Sequence, residues 1–446
     1  MHDFDTDAEH LAQLVFQYTH ERLALDPVPL DHARAPAELA LDAPSPIRPE
    51  GRDARDVLHL FESVLAPAIL SVDSTRFLSF IPAAPTKAAL LFDMVVSAGS
   101  LQGISWLEAA GAIHAENQVL RFVADLAGLP PSAGGVFVSG GSAANLSALA
   151  VAREVAKARN GPVRHALAVS EQTHSSVANA MRILELDPLV VPAVDHRLDG
   201  DALRRAVVSS EQPVCAVVAT AGSTNAGLVD DLQGVAAACA EHSIWMHVDG
   251  AYGGGALLAP SARHRFAGIE HADSFVIDPH KWLFAPYDCA ALLYRDPATA
   301  RAVHTQHASY LDVLHEHPDE WNPSDYAYHL TRRARGLPLW FSLAVHGTDA
   351  YRDAVERALS IARAAAQRIR DLQHVELVVE PELSIVVFRR VGWDDDDYAR
   401  WSRRLLDDQI GFVVPTKWQG ETVARLAFLH PNTTLEIVEE ILATMR

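Results

Sequence analysis

The sequence predicts an α/β protein with a mainly parallel central sheet, helices on both faces, and a smaller C-terminal α/β domain. Three observations carry this. From about residue 86, Ala-rich helical stretches alternate with short β-branched runs, as in a sheet whose strands are joined by crossover helices. Glycines and polar residues recur just after those apolar runs, where ligands of such sheets bind. Beyond Leu337-Pro338, a long helical block and further β-branched segments repeat the mixture on a smaller scale.

Taken in order, Thr6-Asp-Ala-Glu9 has the spacing of a capping box, and Leu11, Leu14, Val15 and Tyr18 follow at helical intervals. Residues 26 to 52 carry Pro27, Pro29, Pro36, Pro44, Pro46 and Pro49 and read as an extended arm, of the kind that wraps a partner subunit. A second helical pattern runs from Val57 to Leu70. Strands are expected at Val136–Val138, Ala166–Val169, Leu189–Val191, Cys215–Ala219, Trp245–Val248 and Ser274–Ile277. Residues 304 to 330 are polar, rich in His, Asp and Pro, and without periodicity; a loop of that length in a compact domain is usually functional. A helix is expected through Leu372, strand character from Val375 to Arg389, and a strand at Val423–Leu429. The run Asp394 to Asp397 reads as a solvated turn or helix start. The expected limits are an N-terminal helical arm at 1–85, a large domain at 86–337 and a small domain at 338–446.

The chain has 446 residues, 49% hydrophobic and 21% charged, with a formal net charge of −20. Length and composition fit a two-lobed globular protein. The negative balance speaks against binding nucleic acid or an anionic membrane surface. Cys215, Cys239 and Cys289 are scattered, odd in number and set in apolar surroundings, as a reducing compartment permits. The acidic start Met1-His-Asp-Phe-Asp is unlike a secretory signal, and no apolar run reaches bilayer length, so the expected location is cytoplasmic.

Chemistry concentrates at the strand ends. The stretch from Ala272 to Phe284 reads as a short apolar strand that stops at Pro279 and presents His280, Lys281 and Trp282. Lysine is rare here: Lys87, Lys157, Lys281 and Lys417 stand against 33 arginines, and Lys281 alone is embedded in an apolar segment. Apolar surroundings disfavour an ammonium, so its pKa is expected to be lowered, giving a nucleophilic amine that no arginine could supply. Gly140, Gly141 and Ser142 end a strand and begin a helix, which makes an anion cup. Neither a Walker loop nor the dinucleotide spacing is present. Asp249 closes a buried strand among Gly250, Ala251, Gly253 and Gly254, where a flat ring with a protonated nitrogen would satisfy the carboxylate. His174 and Thr220 follow two further strands. Phosphate cup, ring-nitrogen partner, imidazole, hydroxyl and lysine together describe a site for pyridoxal 5'-phosphate (PLP).

The order of these motifs resembles the PLP-dependent, group II amino-acid decarboxylase family, in particular its aromatic L-amino-acid decarboxylase branch. The motifs run from the phosphate loop through His-Ser-Ser at 174–176, Thr-x-Gly-x-Thr at 220–224 and His-Val-Asp-x-Ala-Tyr at 247–252 to Pro-His-Lys-Trp at 279–282. The resemblance extends from about residue 50 to the C-terminus. It implies the type I, aspartate-aminotransferase-like fold and a homodimer with active sites at the interface. By the same resemblance, Lys281 is the Schiff-base lysine, Asp249 the ring-nitrogen partner and His174 the residue stacked on the ring. Gly141, Ser142, Ala143 and His280 match the phosphate contacts, and Thr220 and Ala251 flank the ring. Within the long loop Tyr310 matches the general acid, reaching into the neighbouring subunit's site. Phe80, Ile81, Pro82, Ala83 and Ile104 match the substrate pocket, whose apolar lining implies an aromatic or other apolar L-amino acid. Arg425 is expected to meet a substrate carboxylate or to support the small domain.

One departure stands out. Asp278 occupies the position where aromatic decarboxylases usually carry an asparagine near the phosphate, so its carboxylate is expected to turn away or be hydrogen-bonded. Two other outcomes compete with plain decarboxylation. An oxygen-dependent relative would release an aldehyde, though the presence of Tyr310 and His174 favours the amine. A protein of another class would bind metal through His304, His307, His315 and His317 with Glu316 and Asp319, in a spacing that matches no zinc pattern; no metal is expected.

Overall fold

The computed structural model describes residues 2–82, 84–317 and 319–446. Its centre is a seven-stranded sheet formed by β1 (Gly134–Val138), β2 (Ala166–Val169), β3 (Asp187–Val190), β4 (Val214–Thr220), β5 (Trp245–Asp249), β6 (Ser274–Ile277) and β7 (Ala290–Tyr294). The spatial order is β1-β7-β6-β5-β4-β2-β3. Neighbours from β3 through β2, β4 and β5 to β6 are parallel, while β7 runs antiparallel between β6 and β1. The ends of β1, β2, β4, β5 and β6 therefore emerge along one edge. β4, β6 and β7 are buried at every position, as strands covered on both faces must be.

A second sheet, antiparallel and four-stranded, joins β8 (Val375–Val379), β9 (Ile385–Arg390), β10 (Thr416–Trp418) and β11 (Glu421–Ala427) in the order β10-β11-β9-β8. It has its own core, with Phe388, Tyr398, Trp401 and Phe428 buried against Ala362, Ala366 and Ile369 of the helix Leu337–Arg370. That helix breaks at Gly347, whose φ of 76° leaves the helical region. The acidic run starts a helix: Asp394 caps Asp395–Asp407 in a capping box with Asp397.

Two N-terminal expectations need correction. The first helix, Thr6–Leu23, is capped by Asp5, whose carboxylate accepts from the Ala8 amide at 3.0 Å, and not by Thr6. Either side chain can cap, and the acid one residue earlier takes the role. The arm at 26–52 is interrupted by a short helix at Pro36–Asp42, which its proline starts.

A buried ion pair ties the segments around the large sheet. Arg332 Nη2 donates to both Glu116 oxygens at 2.6 and 2.8 Å, its Nη1 donates to the Gly103 carbonyl at 2.6 Å, and its Nε to that of Phe137 at 3.1 Å. Glu116 also accepts the Gly336 amide at 2.8 Å. Removing one partner strands a charge in the interior. Arg332→Met is expected to lose about 3–5 kcal/mol of stability, read as a lowered urea midpoint, and adding Glu116→Leu should recover part of it. A midpoint that does not move in the single variant would refute the clamp.

Candidate active site

A cavity of about 220 Å³ opens where the carboxyl ends of the central strands meet helix starts. Gly140, Gly141, Ser142, Asn145, His174, Ser176, Thr220, Asp249, Ala251, Tyr252, Asp278, His280 and Lys281 are among its lining residues. A wider cleft of about 640 Å³ lies at the opposite, amino ends of β4 and β5, around Cys215 and Trp245. The smaller cavity gathers the chemistry.

One wall is the start of the helix Gly141–Asn160. A Cβ on Gly141 would stand 3.1 Å from Asp278 Oδ2 and 3.2 Å from the Ala251 methyl, so a larger residue would close the cup. At the start of this 20-residue helix the Gly141 and Ser142 amides have no intrahelical acceptor. The Ala143 N–H turns back to the Gly140 carbonyl at 3.0 Å. Of the expected anion contacts, Gly141, Ser142 and His280 line the cavity. His280 Nδ1 accepts the Cys289 amide at 3.0 Å, and burial, opposed by Asp278, lowers its pKa.

The floor is set by β4 and β5. Asp249 is 7% exposed; its Oδ2 accepts from Asn145 Nδ2 at 2.9 Å and its Oδ1 from the Ala251 amide at 3.1 Å. Thr220 donates its amide to Asp230 at 2.6 Å, and its buried hydroxyl has no partner among the described residues. Burial raises the Asp230 pKa to about 7 although two amides stabilise its charge. His174 caps the helix Ser175–Leu184 and lies at the rim.

Lys281 overturns one expectation. Burial alone pushes its pKa down, but Asp278 Oδ2 stands 2.9 Å from Nζ, and this charge and hydrogen bond raise it overall. The carboxylate three residues earlier outweighs the apolar surroundings, because Pro279–Trp282 forms one helical turn that brings the two together. Asp278 therefore is hydrogen-bonded, as expected, yet does not turn away: it faces the glycine cup, with Oδ1 buried and unpartnered. A nucleophilic amine must first lose its proton, so cofactor loading should accelerate as pH rises toward the lysine's pKa. In Asp278→Asn the counter-ion is gone and the ammonium gives up its proton more readily. The loading profile should move to lower pH, with the rate at neutral pH rising roughly tenfold. Stopped-flow absorbance after mixing unloaded protein with PLP measures this; an unchanged rate would rule out control by Asp278.

Some expected residues stand apart from the cavity. Tyr310 is 72% exposed and does not line it within one chain. Phe80 is 61% exposed, Ile81 is buried, and neither they nor Pro82 or Ile104 line it; Ala83 lies outside the described residues. His304 bonds the Ser147 carbonyl at 3.1 Å. Among the described residues no group of three His, Cys, Asp or Glu could hold a metal, and the side chain of His315 lies outside them. Sequence reasoning found His247 and Tyr252 only as motif positions and assigned no role to them or to Asn145. Tyr252 stacks on Trp282 at 5.3 Å and bonds Ser384 at 2.6 Å, joining the cavity to the segment that opens β9. Arg425, on β11, is buried with Nε and Nη2 unpartnered, and burial lowers its pKa to about 10.

The groups fit PLP: a helix start and small residues for a phosphate, a carboxylate for a ring nitrogen, an unpartnered Thr220 hydroxyl, and Lys281 opening into the cavity. Fold and site together fit an enzyme that binds a pyridine cofactor at the ends of parallel strands. The sequence matches the family described as "Pyridoxal-dependent decarboxylase conserved domain" over residues 36–391, and the chain belongs to that family. It is a PLP-dependent carboxy-lyase acting on an L-amino acid. It is 31% identical over 412 residues to the aromatic-L-amino-acid decarboxylase of Bacillus atrophaeus, covering 89% of this chain and 85% of that protein. To the L-2,4-diaminobutyrate decarboxylase of Rhizobium meliloti (strain 1021) it is 33% identical over 374 residues, covering 79% and 74%. The structure of Oryza sativa TDC with PLP and tryptamine superposes with a TM-score of 0.92 at 25% identity, covering 100% of this chain and 99% of that one.

Proposed function

We propose that this decarboxylase acts on an aromatic or otherwise apolar L-amino acid, as a cytoplasmic homodimer whose sites are completed at the subunit interface. The observation that carries the substrate class is the charge inventory of the cavity. Lys281 is the one lysine or arginine among its described lining residues, so a second carboxylate on the side chain would find no cation there. The relatives named for aromatic substrates agree with this. Arg425, buried on β11 outside the cavity lining, with two nitrogens unpartnered among the described residues, is left for the substrate's own carboxylate.

PLP, when bound, supplies a sink for the electron pair left as carbon dioxide departs. The chain's residues do the rest. Lys281 would be the attachment point, and Asp249 would face the ring nitrogen and favour its protonated form. The helix start at Gly141, with His280, would hold the phosphate, and His174 would lie against the ring. Tyr310 of the partner subunit delivers a proton to the substrate carbon that has lost its carboxylate, and closure of the 304–330 loop excludes water.

A second copy accounts for apolar surface that one chain leaves open. The helix Thr6–Leu23 has no buried residue, while Leu11, Val15 and Phe16 on it, and Phe80 and Leu107 elsewhere, are exposed. Sedimentation should return a dimer. The buried, unpaired state of Cys215, Cys239 and Cys289 suits a reducing compartment. The substrate class is tested by carbon dioxide release from a panel of L-amino acids. Tryptophan, tyrosine, phenylalanine or an aliphatic residue should lead; preferential turnover of glutamate, aspartate or 2,4-diaminobutyrate would reject it.

A further inference from the structure

We propose that Trp245, Ser274, His247 and Asn145 form a one-way hydrogen-bond relay that positions Asp249 and His174 and fixes the ring proton of His174 on Nε2. The relay rests on the reading of Asp249 and His174 as the contacts to the cofactor ring.

The direction follows from what each group can do. An indole N–H only donates, and Trp245 Nε1 lies 2.8 Å from Ser274 Oγ. Ser274 accepts there and donates its own hydrogen to His247 Nδ1, also at 2.8 Å, because the Asp249 carboxylate turns the Asn145 nitrogen toward itself and the Asn145 oxygen toward His247 Nε2. His247 is fully buried, and burial, partly opposed by Asp249, lowers its pKa to about 4, so the ring carries one proton. With Nδ1 accepting, that proton sits on Nε2, 2.9 Å from Asn145 Oδ1.

Asn145 is oriented with its oxygen toward His247 and its nitrogen toward the site. The opposite orientation would set its oxygen against the Asp249 carboxylate. Its two N–H groups go to Asp249 Oδ2 at 2.9 Å and to Ser176 Oγ at 3.0 Å. Ser176, having accepted, passes its hydrogen to His174 Nδ1 at 2.8 Å, which also accepts the Ser176 amide at 3.2 Å. Nδ1 of His174 is thus an acceptor twice over, and its proton is on Nε2.

The Asp249 carboxylate, which only accepts, and the Ser176 amide, which only donates, fix the roles at the two ends, and the path joins β5, β6 and two helices. Asn145 is its branch point, serving both cofactor-facing residues from one amide. These are positioning residues, because they act on the ring only through Asp249 and His174.

The test is a long-range proton–nitrogen NMR spectrum of the protein carrying nitrogen-15 histidine, recorded unloaded and loaded with PLP. His247 and His174 are assigned from the signals missing in His247→Gln and His174→Gln. Both rings are expected as the Nε2–H form in the unloaded protein; a proton on Nδ1 of either overturns the relay. Loading should then shift the His174 nitrogens. If they stay put while the ring forms are as stated, the ring-contact reading fails and the positioning role goes with it. Trp245→Phe, which keeps an aromatic ring and removes the first donor, should mix the two forms of His247 and lower kcat roughly tenfold at constant KM. Lost thermal stability with unchanged ring forms and kcat would assign the network to folding alone.

Discussion

Lys281→Ala will bind PLP without the visible absorbance of a cofactor linked to protein, and its kcat will fall at least about 10³-fold, the scale on which losing a reacting group slows an enzyme. Lys281 Nζ opens into the cavity beside Asp278, while Lys87, Lys157 and Lys417 are absent from its lining. No other primary amine of a lysine side chain is therefore in place to substitute. Borohydride should trap cofactor on the wild-type chain at residue 281 and on no residue of the variant. Small amines added to the variant should restore part of the rate, because the chemistry needs an amine more than it needs a tether. A visible, borohydride-sensitive band that survives in Lys281→Ala would mean that another lysine carries the cofactor.

Tyr310→Phe will leave cofactor binding intact and lower amine formation by about 10²–10⁴-fold, the usual contribution of a positioned proton donor. Lost protonation gives dioxygen time to intervene, so part of the product should become aldehyde with hydrogen peroxide and ammonia. Within one chain Tyr310 is largely exposed and off the cavity, which makes a mixing experiment decisive. Inactive Lys281→Ala and impaired Tyr310→Phe, unfolded and refolded together, should regain activity if the tyrosine serves the other subunit's site. No gain on mixing would return Tyr310 to its own chain or remove it from the mechanism. Unchanged amine formation in Tyr310→Phe would remove it outright.

The lysine, the aspartate and the glycine cup are legible in the sequence because a buried strand that ends in a polar residue leaves a sharp local mark. Asp249 closes β5, Thr220 closes β4, and Gly140 follows β1 by two positions. His174 is legible as the residue before a helix. β7, Ala290–Tyr294, is absent from the expected strands, and its antiparallel direction leaves no local mark, since the run is buried at every position whichever way it lies. Asn145 is invisible for a different reason: it sits in an Ala-rich helix and meets His247 and Asp249 only after about a hundred residues of intervening chain have folded. The charge state of Lys281 escapes a reading of composition, which describes surroundings, whereas one carboxylate at 2.9 Å decides the balance. Asp278 is conspicuous in the sequence as a departure from a family pattern; its partner lies three residues away.

That ion pair has a bearing on how the protein meets its vitamin supply. A lone ammonium inside a folded protein is costly, and a matched carboxylate removes most of the reason for the chain to stay open. With Asp278 beside it, Lys281 can be enclosed before any cofactor arrives. The same pair that lets the cofactor-free chain close also holds the amine protonated, so an early, complete fold is expected at the cost of slower cofactor capture. A cooperative thermal transition in the cofactor-free protein, lost or lowered in Asp278→Ala, is the signature to seek.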